Sequence, residues 1–434
     1  MKSKIFHKSI SIFIILSILL SGCKKGNKNV GYTVDNLGTN DTFVVEKDGY
    51  ADQPYWNYIS KNVTAGENGY YTVIGFTLGY VDGDTLEWNI LCSNPACVCR
   101  NPLSAEEEKR LKSEGKEIPK CNADGVCSNS IYYSDGYIYT FDCDKEVGKV
   151  YLTSITADGS GVIKRLCEVG AYDPRSYGGM RVFAHGDYLY VYDWIESLEG
   201  EEKTITQYSK NGKQSKVIAR FKGEGIHFTN VKSYGNKLFY IVERIERSER
   251  NDITTSNGMK LYNYELTTDG VYVYDYKTGE TVRILEKNVN DFAVNEENNE
   301  IYYYVTGKGL YSKSLETKGT DGAKLIYTAN DETQFCEVSY DGKYIYLNNE
   351  SCVMRNMLME ENPKNIVLKP DGTVVNEILA NKGYGTHFGD SKYLFVDYSY
   401  LPIGEEYGKR GLCALDKSKI ENAKIDDFVV IMQQ

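Results

Sequence analysis

A tight turn followed by a short strand of alternating Tyr and aliphatic residues recurs along the chain, and that recurrence restricts the fold more than any other feature. The copies read Asp135-Gly136-Tyr137-Ile138-Tyr139, Gly186-Asp187-Tyr188-Leu189-Tyr190, Gly235-Asn236-Lys237-Leu238-Phe239 and Asn299-Glu300-Ile301-Tyr302. Asp341-Gly342-Lys343-Tyr344-Ile345-Tyr346 and Asp390-Ser391-Lys392-Tyr393-Leu394-Phe395 follow, and a weaker copy, Asn68-Gly69-Tyr70-Tyr71, precedes them all. Successive reference positions fall at 137, 188, 237, 300, 344 and 393, a period near 50 residues broken by one long interval. A charged insertion around Glu243–Asn257 accounts for that interval.

Each unit has a second half. Val150-Tyr151-Leu152 leads to Asp158-Gly159, Thr204-Ile205-Thr206 to Asn211-Gly212, Val271–Tyr274 to Thr278-Gly279, and Ile366-Val367-Leu368 to Asp371-Gly372. Gly after Asp or Asn supplies the positive φ of a two-residue hairpin turn. The unit is therefore about four short antiparallel strands, and the period suits a β-propeller blade rather than a helical solenoid. The expected fold is all-β, a propeller of about seven four-stranded blades over residues 51–434, with six or eight left open by the weak first unit. A pair of β-sandwiches competes, but sandwiches do not repeat so regularly. Tyr outnumbers Phe 38 to 14, as expected where rings pack at blade seams while their hydroxyls reach a partner at the edge.

The N-terminus reads as an address. Lys2, Lys4 and Lys8 precede an apolar run, Ile10–Leu20, too short to span a bilayer. It ends in Leu20-Ser21-Gly22-Cys23, which resembles the lipobox of bacterial lipoproteins. That resemblance implies a signal peptide over 1–22, a lipidated Cys23, a flexible tether over 23–50, and attachment to the extracytoplasmic face of the cell membrane through the lipid.

Ser339–Leu347 resembles the blade motif of TolB-like propellers, and the chain as a whole resembles lipid-anchored propeller lipoproteins of Gram-positive bacteria. Six of the eleven Cys lie close together: Cys92, Cys97, Cys99, Cys121, Cys127 and Cys143. Leu91–Ala123 resembles a signature of those lipoproteins built from three Cys and one His. Cys99 stands where the family has His, and Cys121-Asn122-Ala123 matches the last Cys. Cys92, Cys97, Cys99 and Cys121 thus form a candidate set for a structural zinc, since four thiolates suit tetrahedral zinc. Disulfides stapling the first blade, or unpaired buried thiols, are the competing readings. Between Cys99 and Cys121, Ser104-Ala105-Glu106-Glu107 is a capping box that predicts a short helix stopping near Gly115.

Chemistry is otherwise sparse. No zincin, nucleophile-elbow, Walker or dinucleotide motif occurs. The formal charge of −11 argues against a nucleic-acid partner. His185 and His387 sit near turns and read as exposed loop residues, and the alternating charges of Glu243–Arg250 read as a solvated face. Aromatics outside the strands are candidate ligand contacts: Tyr55 and Trp56 before the first blade, Trp194 at a strand end, and Tyr398 and Tyr400 opening a loop. The function expected is a binding or scaffolding lipoprotein for a protein or glycan ligand. The alternative is a carbohydrate- or peptide-directed hydrolase at the propeller mouth.

Overall fold

The computed structural model describes residues 63–433 except 75, 120, 125, 127–129, 174–178, 196, 199, 248–252, 255–259, 262–263, 287, 296, 318, 331–335, 350–363, 380–383, 391 and 401–408. Seven antiparallel sheets of four strands follow one another along the chain: blade 1 (63–90), blade 2 (132–171), blade 3 (180–222), blade 4 (226–285), blade 5 (291–328), blade 6 (336–379) and blade 7 (384–433). The protein is a seven-bladed β-propeller. First strands of blades 1 and 2, 2 and 3, 4 and 5, and 5 and 6 touch one another, which places the first strands innermost around the axis. Last strands, such as Lys324–Thr328 and Val429–Gln433, are largely exposed.

The recurring Tyr-aliphatic strand is the second strand of every blade. In Tyr188–Asp193 the side chains alternate between two buried faces. Leu189 and Val191 pack against blade 2, whereas Tyr190 and Tyr192 pack against blade 4. Blade 6 repeats the arrangement, with Ile345 and Leu347 facing blade 5 and Tyr344 and Tyr346 facing blade 7. A period of two with both faces apolar is what a strand needs when neighbours cover its sheet on each side. Seven apolar clusters result, one for each seam, including the seam between blades 7 and 1.

Polar side chains stitch neighbouring blades in the same sense around the ring. Tyr133 N–H donates to Thr64 Oγ1 (3.0 Å), Val182 N–H to Ser130 Oγ (3.1 Å), Ile226 N–H to Ser197 Oγ (3.0 Å) and Val338 N–H to Asp291 Oδ2 (2.6 Å). Each satisfies a buried amide of one blade with an acceptor from the blade before it.

No strand is exchanged between the first and last blades among the described residues; blade 7 takes all four of its strands from the C-terminal part of the chain. The ring closes through side chains. Tyr70 donates to Asp390 (2.6 Å), Lys392 Nζ to the Gly83 carbonyl (2.6 Å) and Tyr393 to the same carbonyl (3.2 Å).

The long interval in blade 4 is a lengthened hairpin. Its middle strands, Lys237–Arg247 and Tyr264–Asp275, extend past the blade, and a small hairpin of Ile253–Thr254 with Lys260–Leu261 follows. Glu243 departs from the solvated face that its charge pattern suggests: it is buried opposite His227 on the innermost strand.

Candidate metal centre

Blade 1 ends in an unusually short outer strand, Trp88–Ile90, and the chain then leaves the sheet. Asn94 turns it: its carbonyl accepts from Cys97 N–H (3.1 Å) and its side chain accepts from Ala96 N–H (3.0 Å). The Cys97 carbonyl then accepts from Arg100 and Asn101 N–H, both at 3.0 Å, which folds Cys97–Cys99 into a tight knuckle. The predicted helix follows as Ala105–Ser113. Ser104 Oγ accepts from Glu107 N–H (3.2 Å) and Glu107 Oε2 accepts from Ser104 N–H (2.9 Å), a complete capping box. Gly115, at φ +67°, lets the chain turn out of the helix. Ala123–Val126 then rejoins the sheet edge, Leu78 N–H donating to the Ala123 carbonyl (2.8 Å) and Val126 N–H to that of Phe76 (3.1 Å).

This excursion brings Cys121 back to the knuckle. The sulfurs of Cys92, Cys97, Cys99 and Cys121 all lie within 4.8 Å of one another. A tetrahedral zinc with Zn–S bonds of about 2.3 Å has sulfur–sulfur edges of ~3.8 Å, so the cluster has the size such an ion needs. Three of the four Cys are buried and Cys99 is partly exposed. All eight described Cys are thiols, so the disulfide staple has no counterpart among the described residues.

The thiols shift in opposite directions: Cys97 is lowered, while burial raises Cys99 and Cys121. The Cys99 N–H and the neighbouring thiols donate toward Cys97 and hold its thiol down at about 7. Burial pushes the Cys121 thiol well up, against the opposing effect of Ala123 N–H, which donates to its sulfur at 3.4 Å. Four thiols this close cannot all ionise without a compensating cation, a charge that a divalent metal would supply. The centre can therefore hold a metal ion.

The other candidates fare differently. Trp194 follows its strand but is not a free loop-tip ring: it packs on the apolar cluster between blades 3 and 4, with the Arg181 guanidinium 5.2 Å from its centroid. Tyr398 and Tyr400 belong to the strand Tyr393–Tyr400 and not to a loop. Tyr55, Trp56 and Cys23 lie outside the described residues. His185 is no loop residue either. It ends the inner strand Met180–His185, is buried, and its Nε2 lies 2.6 Å from the Gly235 carbonyl of blade 4.

The sequence did not point to a second polar group, near the end of the axis where the inner strands begin. His227 Nε2 lies 3.0 Å from Glu243 Oε2, both side chains being buried. Among the described residues, His227 Nδ1 and, two residues along the same strand face, Thr229 Oγ1 have no hydrogen-bond partner. Beyond them Asn230, at φ +48° in a β-bulge, donates to Asp291. Asp291 also accepts from Phe292 N–H (2.6 Å) and Val338 N–H, so its two oxygens tie blades 4, 5 and 6 together. Burial raises its carboxyl to about 6.

No family model matches the chain, and no curated protein matches it. Solved structures similar to it include the β-propeller domain of the Trilobed protease from Pyrococcus furiosus (10% identity, 90% of this chain and 94% of that one, TM-score 0.41). The WD40 domain of SCAP from fission yeast is similar at 10% identity (88% and 87% covered, TM-score 0.42). Porphyromonas gingivalis dipeptidyl peptidase 4 is similar at 9% identity, with 88% of this chain and 55% of that one covered and a TM-score of 0.37. These are likenesses of architecture alone; the blade count stands on the strand pairing itself.

Proposed function

We propose that the protein is a lipid-anchored, extracytoplasmic propeller that binds or scaffolds a protein or glycan, with a structural zinc in its first blade. One observation carries the binding reading: the buried carboxylates at the axial end are engaged by the framework. Asp291 is held by Asn230 and two backbone amides, Glu243 by His227, and Glu337 by Asn348 at 3.3 Å. A site with four protein ligands keeps no open position, so the zinc serves structure rather than catalysis. The lipobox at Leu20–Cys23 supports the anchor.

A second reading, the hydrolase, draws support from His227, which Glu243 orients at Nε2 while Nδ1 has no partner. One experiment separates the two. The full chain and its His227→Gln variant are incubated with a glycan and peptide panel, and thermal shift and product release are read together. A shift without product supports binding; product that the variant fails to form supports the hydrolase. Fractionating cells that carry Cys23→Ala tests the anchor, which falls if the variant still partitions with membranes.

A further inference from the structure

The insert that carries the four Cys does more than fold on itself; it is wedged against the next blade. Ser93 N–H donates to the Gly159 carbonyl (2.8 Å), and Asn122 Nδ2 donates to the Ser160 carbonyl (2.9 Å). Both acceptors belong to the turn between the last two strands of blade 2. The fit is close enough to demand glycine. A Cβ at Gly161, which has φ +70°, would come within 2.4 Å of the Asn122 side chain, and one at Gly159 within 2.9 Å of Ser93 N. At this seam five of the eleven buried apolar residues, Cys92, Cys97, Cys121, Ala123 and Val126, come from the insert and not from either blade.

The other face of blade 1 forms the seam that closes the ring. Trp88 packs into that seam, lying over Gly79, where a Cβ would meet its indole nitrogen at 2.2 Å. Trp88 and Cys92 are four residues apart on one continuous stretch of chain. The outer strand between them is three residues long, and the sheet edge beyond it is completed only when Ala123–Val126 returns. Whatever fixes Cys92 to Cys121 therefore fixes the edge of blade 1, and with it the placement of Trp88.

We propose that the four-cysteine centre is the latch of the ring: a metal bound there clamps blade 1 to blade 2 and so sets the closure between blades 7 and 1, which no shared strand among the described residues secures. The proposal rests on the reading of the centre as a metal site. Metal release frees the returning segment, and blade 1 then loses its hold on both neighbours.

Hydrogen exchange read by mass spectrometry on the full, zinc-loaded chain tests it. Stripping the metal with a chelator should speed exchange by on the order of tenfold at 70–73, 393–396 and 412–414, while 238–242 and 301–304 stay unchanged. Gly161→Ala should do the same with one zinc per chain still bound, because it pushes the insert off the turn without touching a ligand. Faster exchange confined to 91–126 in both cases, with zinc binding intact, overturns the latch and leaves the metal reading standing. A chain that neither carries nor takes up zinc overturns the metal reading, and the latch with it.

Discussion

Blades 1 and 4 meet the same requirement by different means. Blade 4 buries aromatic rings on the side of blade 3, where Phe221 makes edge contacts with Phe228, Tyr240 and Tyr272 at centroid distances of 5.6, 6.4 and 5.4 Å. Tyr240 and Tyr272 stack in the same cluster. Blade 1 has a short last strand, and its seam with blade 2 leans on an insert whose buried apolar residues are mostly Cys. A seam built from large side chains draws its stability from area removed from water and needs nothing from outside the chain. A seam that leans in part on thiols would gain rigidity from the proposed metal, and its strength would then depend on the solution around it. With the proposed metal in place, the ring has an autonomous half and a conditional one.

Removing one ring from the autonomous half is the severest test of that contrast. Phe221→Ala should destabilise the protein by about 3–5 kcal/mol in urea unfolding, and chelator should leave that difference unchanged. A loss below about 1 kcal/mol would mean that the aromatic seam is not what holds these blades.

A second test uses Asp291, whose carboxyl burial raises to about 6. A carboxyl with a raised folded-state pKa binds its proton more tightly folded than unfolded. The stability it contributes is therefore fully present below about 4 and is lost as the pH climbs through 6. A rise from about 4 to about 6 is worth about 3 kcal/mol. The stability of the wild type relative to Asp291→Asn should fall by up to that amount between pH 4 and pH 7. A gap that is flat with pH would show that Asp291 acts as an ordinary ionised acceptor.

The repeat made the second and third strands of the blades legible, because their Tyr-aliphatic alternation and Asp-Gly or Asn-Gly turns are local signals. The helix was legible for the same reason, through Ser104 and Glu107. The four Cys could be grouped from spacing and resemblance, yet the sequence left metal and disulfide open, since that choice depends on how the returning chain aims four sulfurs. His185 and Glu243 lie deeper than their neighbours in sequence suggest, and nothing around His227 marks it. Their burial comes from blades that lie 40 or more residues away in sequence or from a cross-strand register, and short-range polarity carries no trace of either. Asp291 shows the same limit: it accepts from Asn230 and Val338, and no pattern around it in sequence announces those partners.

The smallest effect sharpens the conditional half. Ser104→Ala removes the cap of an exposed helix with no buried residue, and should cost about 1 kcal/mol. Because that helix lies between two of the sulfur ligands, the loss should appear as weaker zinc retention in a chelator competition and not in the unfolding of blades 3 to 5. An equal effect on both would mean that the insert and the aromatic blades melt as one unit.

Each blade is written as one uninterrupted stretch of chain, and this has a genetic consequence. Where first and last blades share a strand, a duplicated or deleted blade disturbs the shared pairing. Among the described residues, a whole blade can be copied or excised at the DNA level without leaving any strand unpaired. New chain ends can likewise be opened at a connection between blades, such as the short one that leads from blade 4 to Asp291, with the old ends joined. The number of blades in such a chain is then an evolutionary variable, limited by how many wedges close a circle and not by how the ends are tied.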